Sequence, residues 1–227
     1  MANLALACSS HKGEKETRVL DPCCGSGSLL LYAAALGASQ LVGADSDSTA
    51  WARAEDEFER HIALSSTGTE RRKSALAKPK FIEGDIFNPT NTAELSGTDS
   101  YNAIITDPPY NVGAPILVNR QDFRRKSYHR KEDSMKPVNE EDTSSKVVLE
   151  ATTVHILKLA GRLLVNGGRL LFFIPVKGNR EVSVAKRYET TIQLCGLNIL
   201  FERMQRFSPT FSRWLVCLEK RVDSTRK

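Results

Sequence analysis

The 227-residue sequence predicts a doubly wound α/β domain whose sheet is mostly parallel with an antiparallel strand at one edge. Three observations predict it. Short apolar stretches alternate with segments of helical periodicity, the pattern of a parallel sheet covered on both faces. A glycine turn and three aspartates, Asp45, Asp85 and Asp107, follow successive strands, where open α/β sheets gather their ligands. The last two apolar stretches are joined by only a Ser-Pro-Thr turn, which makes them antiparallel neighbours.

In order along the chain, Thr17 to Asp21 reads as a strand that runs into the turn at Gly25 and Gly27. Ser28 to Leu36 reads as a helix with Gly37 as the residue that ends it. Gln40 to Asp45 is the second strand. Ser48 is placed to cap a helix with Trp51, Ala54, Phe58 and Ile62 on one face. The polar stretch Ser65 to Lys78, with Arg71-Arg-Lys73, reads as a loop, and strands follow at Lys80 to Gly84 and Asn102 to Thr106. Residues 111–143 form a long polar segment. Val147 to Val165 is an amphipathic helix closed by Gly167-Gly168, and Arg169 to Val176 a buried strand. Val182 to Cys195 reads as a helix that aligns Val184, Tyr188, Ile192 and Cys195 and stops at Gly196. Strands Leu197 to Phe207 and Phe211 to Lys220 complete the sheet. The division expected is a connecting segment at 1–16, one domain at 17–220 with 111–143 as a polar basic insertion, and a tail at 221–227.

Composition narrows the class. With 41% hydrophobic and 26% charged residues, 14 Gly and 9 Pro, the chain is neither collagen-like, nor a coiled coil, nor wholly disordered. The longest apolar run, Leu29 to Leu36, is far short of the ~20 residues that span a bilayer, and the opening residues do not read as a signal peptide. Five cysteines, Cys8, Cys23, Cys24, Cys195 and Cys217, show no paired metal spacing and are odd in number, so a reducing, cytoplasmic setting is expected. His11, His61, His129 and His155 share no metal-ligand spacing either, and no metal is expected. The net charge of +5 permits a polyanionic partner without requiring one.

The chemistry concentrates in two segments. Asp21-Pro-Cys-Cys-Gly-Ser-Gly-Ser28 is a strand–turn–helix passage whose glycines let backbone approach a ligand, beside a helix N-terminus with unpaired N–H groups. An ordinary tight turn is the other reading. It is not the dinucleotide fingerprint, because the third glycine position holds Leu30. Asp45 ends the next strand 20 residues after Gly25, where an acid commonly holds a ribose hydroxyl pair, or simply starts a helix. Asp85 follows the third strand as a ligand acid or as part of a Gly-Asp turn. In Asp107-Pro-Pro-Tyr110 the prolines stiffen the backbone and remove two donors. An acid, a rigid carbonyl and an aromatic ring suit an exocyclic amine on a planar base. Asp107 accepts one N–H, the Pro108 carbonyl the other, and Tyr110 stacks on the ring. A proline-stiffened loop with a partly buried tyrosine is the alternative.

With these residues in place, the chain resembles the class I S-adenosylmethionine-dependent methyltransferases that modify amino groups of nucleobases. Within them it most resembles the tRNA guanine-N2 methyltransferases whose full-length members carry an N-terminal THUMP domain. Met1-Ala-Asn-Leu-Ala5, Thr106-Asp-Pro-Pro-Tyr110 and Ser212-Arg-Trp-Leu-Val-Cys-Leu-Glu-Lys220 support that likeness, which extends to about Lys220. The resemblance implies a Rossmann-like methyltransferase sheet with S-adenosylmethionine as cofactor. It implies a cofactor site of Asp21, Pro22, Gly25, Ser26, Gly27, Asp45 (ribose) and Asp85 (adenine), and a catalytic set of Asp107, Pro108, Pro109 and Tyr110. Partners implied are tRNA, a small zinc-binding activator subunit, and a separate or missing THUMP-type RNA-binding domain, so that the chain is expected to be a catalytic half. Asn111 stands where a glycine often follows the tyrosine, and Cys23-Cys24 is an unusual filling of the turn, read as small apolar packing and not a disulfide.

Arg120, Arg124, Arg125, Lys126, Arg130 and Lys131, interleaved with Phe123, Tyr128 and His129, fit phosphates and unpaired bases of a structured RNA. Glu132-Asp133 and Glu140-Glu-Asp142 offset that charge, which leaves a solvated loop as the other reading. The rival functions are an adenine N6 or cytosine N4 methyltransferase acting on DNA or another RNA, and a non-catalytic RNA-binding subunit that kept the fold.

Overall fold

The computed structural model describes residues 1–6, 16–66, 76–84, 101–109, 143–177, 183–209 and 211–222. In chain order the elements are α1 (Ala2–Leu6), β1 (Arg18–Asp21), α2 (Ser28–Ala35), β2 (Gln40–Asp45), α3 (Ser48–Ser66), β3 (Lys80–Glu83) and β4 (Tyr101–Thr106). After these come α4 (Thr143–Leu163), β5 (Leu164–Lys177), α5 (Val184–Arg187), α6 (Glu189–Leu194), β6 (Leu197–Arg206) and β7 (Phe211–Lys220). The strands form one seven-stranded sheet in the order β3-β2-β1-β4-β5-β7-β6. β1 to β5 pair in parallel, and β7 is antiparallel to both β5 and β6. The α/β class and the antiparallel pairing at one edge therefore stand as predicted. The pairing has a further feature: β7 inserts between β5 and β6, so β6 is the outermost strand.

Alternation along each strand builds two apolar layers, because successive side chains point to opposite faces. Leu20, Ile104, Leu170 and Phe172 pack with Ile156, Leu157, Ala160 and Leu163 of α4 and with Val184, Tyr188 and Ile192. Val19, Ala103, Ile105, Leu171 and Cys217 pack on the other face with Leu30, Ala33 and Ala34 of α2 and with Phe58 of α3. Ala2 and Ala5 of α1 are buried in that second layer, so residues 2–6 pack onto the sheet. Arg169 of β5 holds them there by donating from Nη1 to the Leu4 carbonyl at 3.0 Å. No described helix is long and apolar enough to cross a membrane.

Three local expectations need correction. Asp47, not Ser48, caps α3: its Oδ1 accepts from the Thr49 N–H at 2.9 Å and from the Thr49 hydroxyl at 2.7 Å. The long helix ends at Leu163, and β5 begins at Leu164, ahead of Gly167-Gly168. Those glycines let β5 bend against β4. A Cβ on Gly168 would lie 2.9 Å from the Val165 carbonyl oxygen and 3.1 Å from those of Tyr101 and Asn102. The helix expected over Val182 to Cys195 is two short ones, since Tyr188 leaves helical geometry (φ −115°). The first is anchored from β6, where Glu202 Oε1 accepts from the Ala185 N–H and, at 3.2 Å, from the Ser183 hydroxyl. The apolar face is as expected, with Val184, Tyr188 and Ile192 buried.

Candidate active site

The strand order reverses direction at β1 and β4, and in open α/β sheets the crevice above such a switch point is where ligands bind. The carboxyl ends of β1, β2 and β4 place Asp21, Asp45 and Asp107 around it. Each belongs to the predicted site.

Asp21 closes β1 and is 1% exposed. Its Oδ1 accepts the Cys23 N–H at 3.1 Å, which shapes the start of the turn. Burial pushes its pKa up to about 7; the Cys23 N–H and the Thr106 hydroxyl oppose this, and the neighbouring Asp45 and Asp107 reinforce it.

The turn itself is fastened to β2. The Cys24 N–H donates to the Ala44 carbonyl at 2.8 Å, and the Gly27 N–H to the Cys24 carbonyl at 2.7 Å. Asp45 makes the central link: Oδ2 accepts the Gly25 N–H at 2.8 Å and Oδ1 accepts the Asp47 N–H at 2.9 Å. One carboxylate thus joins the end of β2, the glycine turn and the start of α3. Gly27 (φ +71°) must be glycine, since a Cβ there would fall 2.8 Å from the Ala54 Cβ. Above Gly25 (φ +48°) a Cβ would meet nothing within 4 Å, so the turn's outer side is open. Pro22 is buried, and Ser26 is exposed with its hydroxyl 2.8 Å from that of Ser28. Cys23 and Cys24 are free thiols held protonated by burial, in keeping with packing roles.

Asp107 follows β4 with its side chain 38% exposed. Burial raises its pKa from the usual carboxylate value, against the pull of Arg213. Pro108 is buried and Pro109 half-buried. Asp85, Tyr110 and the basic stretch from Arg120 to Lys131 lie outside the described residues. Among the described residues, no cluster of His, Cys, Asp and Glu is arranged to hold a metal ion.

Sequence reasoning missed the residue that meets Asp107. Arg213 of β7 donates from Nη1 to Asp107 Oδ2 at 3.1 Å, across 106 positions of sequence. The available signal was a cation two and four residues before Leu215 and Cys217, which face the apolar layer on the same side of β7.

The raised pKa of Asp21 makes a stability prediction. Its folded-state value, about 7, lies above the ordinary 3.8, so between these pH values the folded chain holds a proton that the unfolded chain has lost. Stability from this group is greatest below pH 3.8 and falls as pH rises to about 7. Asp21→Asn keeps the acceptor for the Cys23 N–H and removes the ionisation. The variant's advantage over the native chain should open from about pH 4 and level off above pH 7. It should reach a few kcal/mol, since each tenfold change in proton affinity is worth about 1.4 kcal/mol. Urea denaturation of the cofactor-free proteins at pH 5 and pH 8 measures it. A gap that does not widen with pH would contradict a protonated Asp21.

Residues 2–162 match the family model described as the RMKL-like methyltransferase domain. No curated protein sequence matches the chain. Among solved structures, an rRNA methylase from Streptococcus thermophilus superposes with a TM-score of 0.55 at 16% identity, over 92% of this chain and 90% of that one. A proposed RNA methyltransferase of Pyrococcus horikoshii gives 0.52 at 14% identity, over 98% and 83%. The magnesium protoporphyrin IX methyltransferase of Synechocystis, solved with bound S-adenosylmethionine, gives 0.53 at 14% identity, over 96% and 76%. At these identities the likeness is one of fold.

Proposed function

Because the chain belongs to the family of RMKL-like methyltransferase domains, we propose that it transfers a methyl group from S-adenosylmethionine to the exocyclic amine of an RNA base, guanine N2 of tRNA before others. The observation that carries this reading is the placement of Asp107, on a proline-stiffened turn, in the same crevice as the Asp21 turn and Asp45.

The residues present fit the cofactor. Three carboxylates at adjacent strand ends favour a positively charged ligand; burial is the main cause of the raised Asp21 pKa, and the repulsion from Asp45 and Asp107 that adds to it would be relieved by such a ligand. The open outer side of the turn at Gly25, with Ser26 exposed, leaves room for close approach. Asp45 would hold the ribose hydroxyls with lone pairs left over from its two backbone bonds, Asp85 would contact the adenine, and Asp21, Pro22 and Gly27 would set the turn's shape. When bound, the cofactor supplies an electrophilic methyl group on a positively charged sulfur.

The acceptor amine is a poor nucleophile because its lone pair is delocalised into the ring. Asp107 accepts one of its N–H groups and the Pro108 carbonyl the other, which favours a pyramidal nitrogen with its lone pair directed at the methyl group. The Asp107 carboxylate also offsets the positive charge that grows on the nitrogen, an effect present only as the transition state forms. Pro109 stiffens the turn, and Tyr110 stacks on the base. What remains is alignment of donor and acceptor away from water.

The basic stretch Arg120 to Lys131 supports an RNA substrate through phosphate contacts and stacking. The family resemblance supports the partners: a THUMP-type RNA-binding domain, and a small zinc-binding activator, in a reducing cytoplasmic setting. The test is nucleoside mass spectrometry of unmodified tRNA incubated with purified chain and isotopically labelled S-adenosylmethionine, with and without an added THUMP-type domain. Labelled N2-methylguanosine is the expected product. Labelled N6-methyladenosine or N4-methylcytidine, or label taken up only by DNA, would replace this substrate assignment with a rival.

A further inference from the structure

We propose that Arg213 is the positioning residue of this site, a guanidinium fixed by β5 and β6 that holds the Asp107 carboxylate in the orientation required by the acceptor amine. This role rests on the methyl-transfer reading of Asp107 and adds a residue to it.

Arg213 is restrained on three sides. Nε donates to Gln205 Oε1 at 2.8 Å from the directly opposed position of β6. Its guanidinium carbon lies 3.6 Å from the centre of the Phe173 ring on β5 and 5.0 Å from that of Phe207. Nη1 reaches Asp107 Oδ2 at 3.1 Å, and the arginine side chain is 20% exposed. Stacking and a side-chain acceptor on Nε use two features of the planar fork that lysine lacks. An exposed ion pair formed only for stability does not need such an arrangement, since it contributes little.

The consequence for Asp107 is geometric. A carboxylate offers about four lone-pair sites on two oxygens. With Oδ2 held by a fixed donor, rotation of the group is restricted and its other acceptor directions point one way. The charged form is held as well. Arg213 on β7 is a charged group that bears on Asp107, and Asp107 in turn bears on Asp21 at the end of β1. Burial favours the protonated acid, and Arg213 opposes it by its charge and its hydrogen bond. A protonated carboxyl would lose the charge that stabilises the developing cation.

The experiment compares Arg213→Met, Arg213→Lys and Gln205→Leu with the native chain in three measurements. In the cofactor-free proteins, ¹³C NMR of the aspartate carboxyls follows the titration of Asp107, assigned by its loss in Asp107→Asn. Calorimetry gives the affinity for S-adenosylmethionine, and labelled transfer to unmodified tRNA gives kcat and its pH profile. Expected for Arg213→Met are a higher Asp107 pKa, cofactor affinity within about twofold, and a kcat lowered roughly 10- to 100-fold, as misplacement of a reacting partner does. The acid limb of its pH profile should move upward. Arg213→Lys should restore the titration but not the full rate, because it keeps the charge and loses the fork; Gln205→Leu should lower kcat by several fold with the titration near native. These last two variants carry the test if Arg213→Met does not fold. An Asp107 titration indifferent to residue 213, or a variant rate at or above the native one, overturns the proposal. If the native chain methylates no tRNA, the substrate assignment fails while the titration still decides what Arg213 does.

Discussion

Asp107→Ala should abolish measurable methyl transfer while the dissociation constant for S-adenosylmethionine stays within a few-fold of native. The reason lies in where the carboxylate sits. It follows β4, is 38% exposed and is held by Arg213, whereas the glycine turn is organised by Asp45. On the proposed reading its removal would take away an acceptor for the substrate amine and the charge that offsets the cation forming on nitrogen. Removing a single preorganised group of this kind costs roughly 10²- to 10³-fold in related electrostatic sites, and the loss of amine alignment adds to it. Asp107→Asn should retain more rate than Asp107→Ala, because the amide oxygen still accepts a hydrogen bond without the charge. Single-turnover transfer from labelled cofactor, with calorimetry on the same preparations, measures both quantities. A loss of cofactor affinity that matches the loss of rate would move Asp107 into the cofactor site.

The second large effect is expected at Asp45, with the opposite signature. On the proposed reading Asp45→Ala would remove a charge-assisted hydrogen bond to the ribose, worth about 1.5–3 kcal/mol, so cofactor binding should weaken by roughly one to two decades. The structure adds a second contribution to the same substitution: the Gly25 and Asp47 N–H groups lose their acceptors at 2.8 and 2.9 Å, and the turn loosens. Asp45→Asn separates the two. Its one amide oxygen keeps the Gly25 N–H while its NH2 faces the Asp47 N–H and the charge is lost, so a variant that still binds cofactor almost natively would assign Asp45 to the turn and not to the ribose. At saturating cofactor, kcat should remain close to native for both variants. Calorimetric titration and rate measurement at high cofactor concentration distinguish these outcomes.

Much of this architecture was legible in the amino-acid order. Glycines at 25 and 27 after a short apolar strand, and aspartates at 45 and 107 where apolar runs stop, located the crevice at the carboxyl ends of β1, β2 and β4. The errors have local causes. Asp47 and Ser48 can each cap a helix, and only the backbone geometry shows that Asp47 reaches the Thr49 N–H. Helical periodicity continued to Val165, yet Leu164 pairs with Tyr101 of β4, so the strand begins there. Tyr188 carries the spacing of an uninterrupted helix, yet its backbone (φ −115°) divides the segment into α5 and α6.

Sequence by itself determined the α/β class, the order of the elements and which acids stand at strand ends, because periodicity, turn chemistry and capping act over a few residues. Tertiary structure alone decided how those acids behave. Asp21 has a pKa near 7 only because the folded chain buries it beside Asp45 and Asp107, and Arg213 meets Asp107 only because β7 inserts antiparallel between β5 and β6. Electrostatic interaction depends on separation in space and on the medium between the charges. Neither quantity is written in the spacing along the chain.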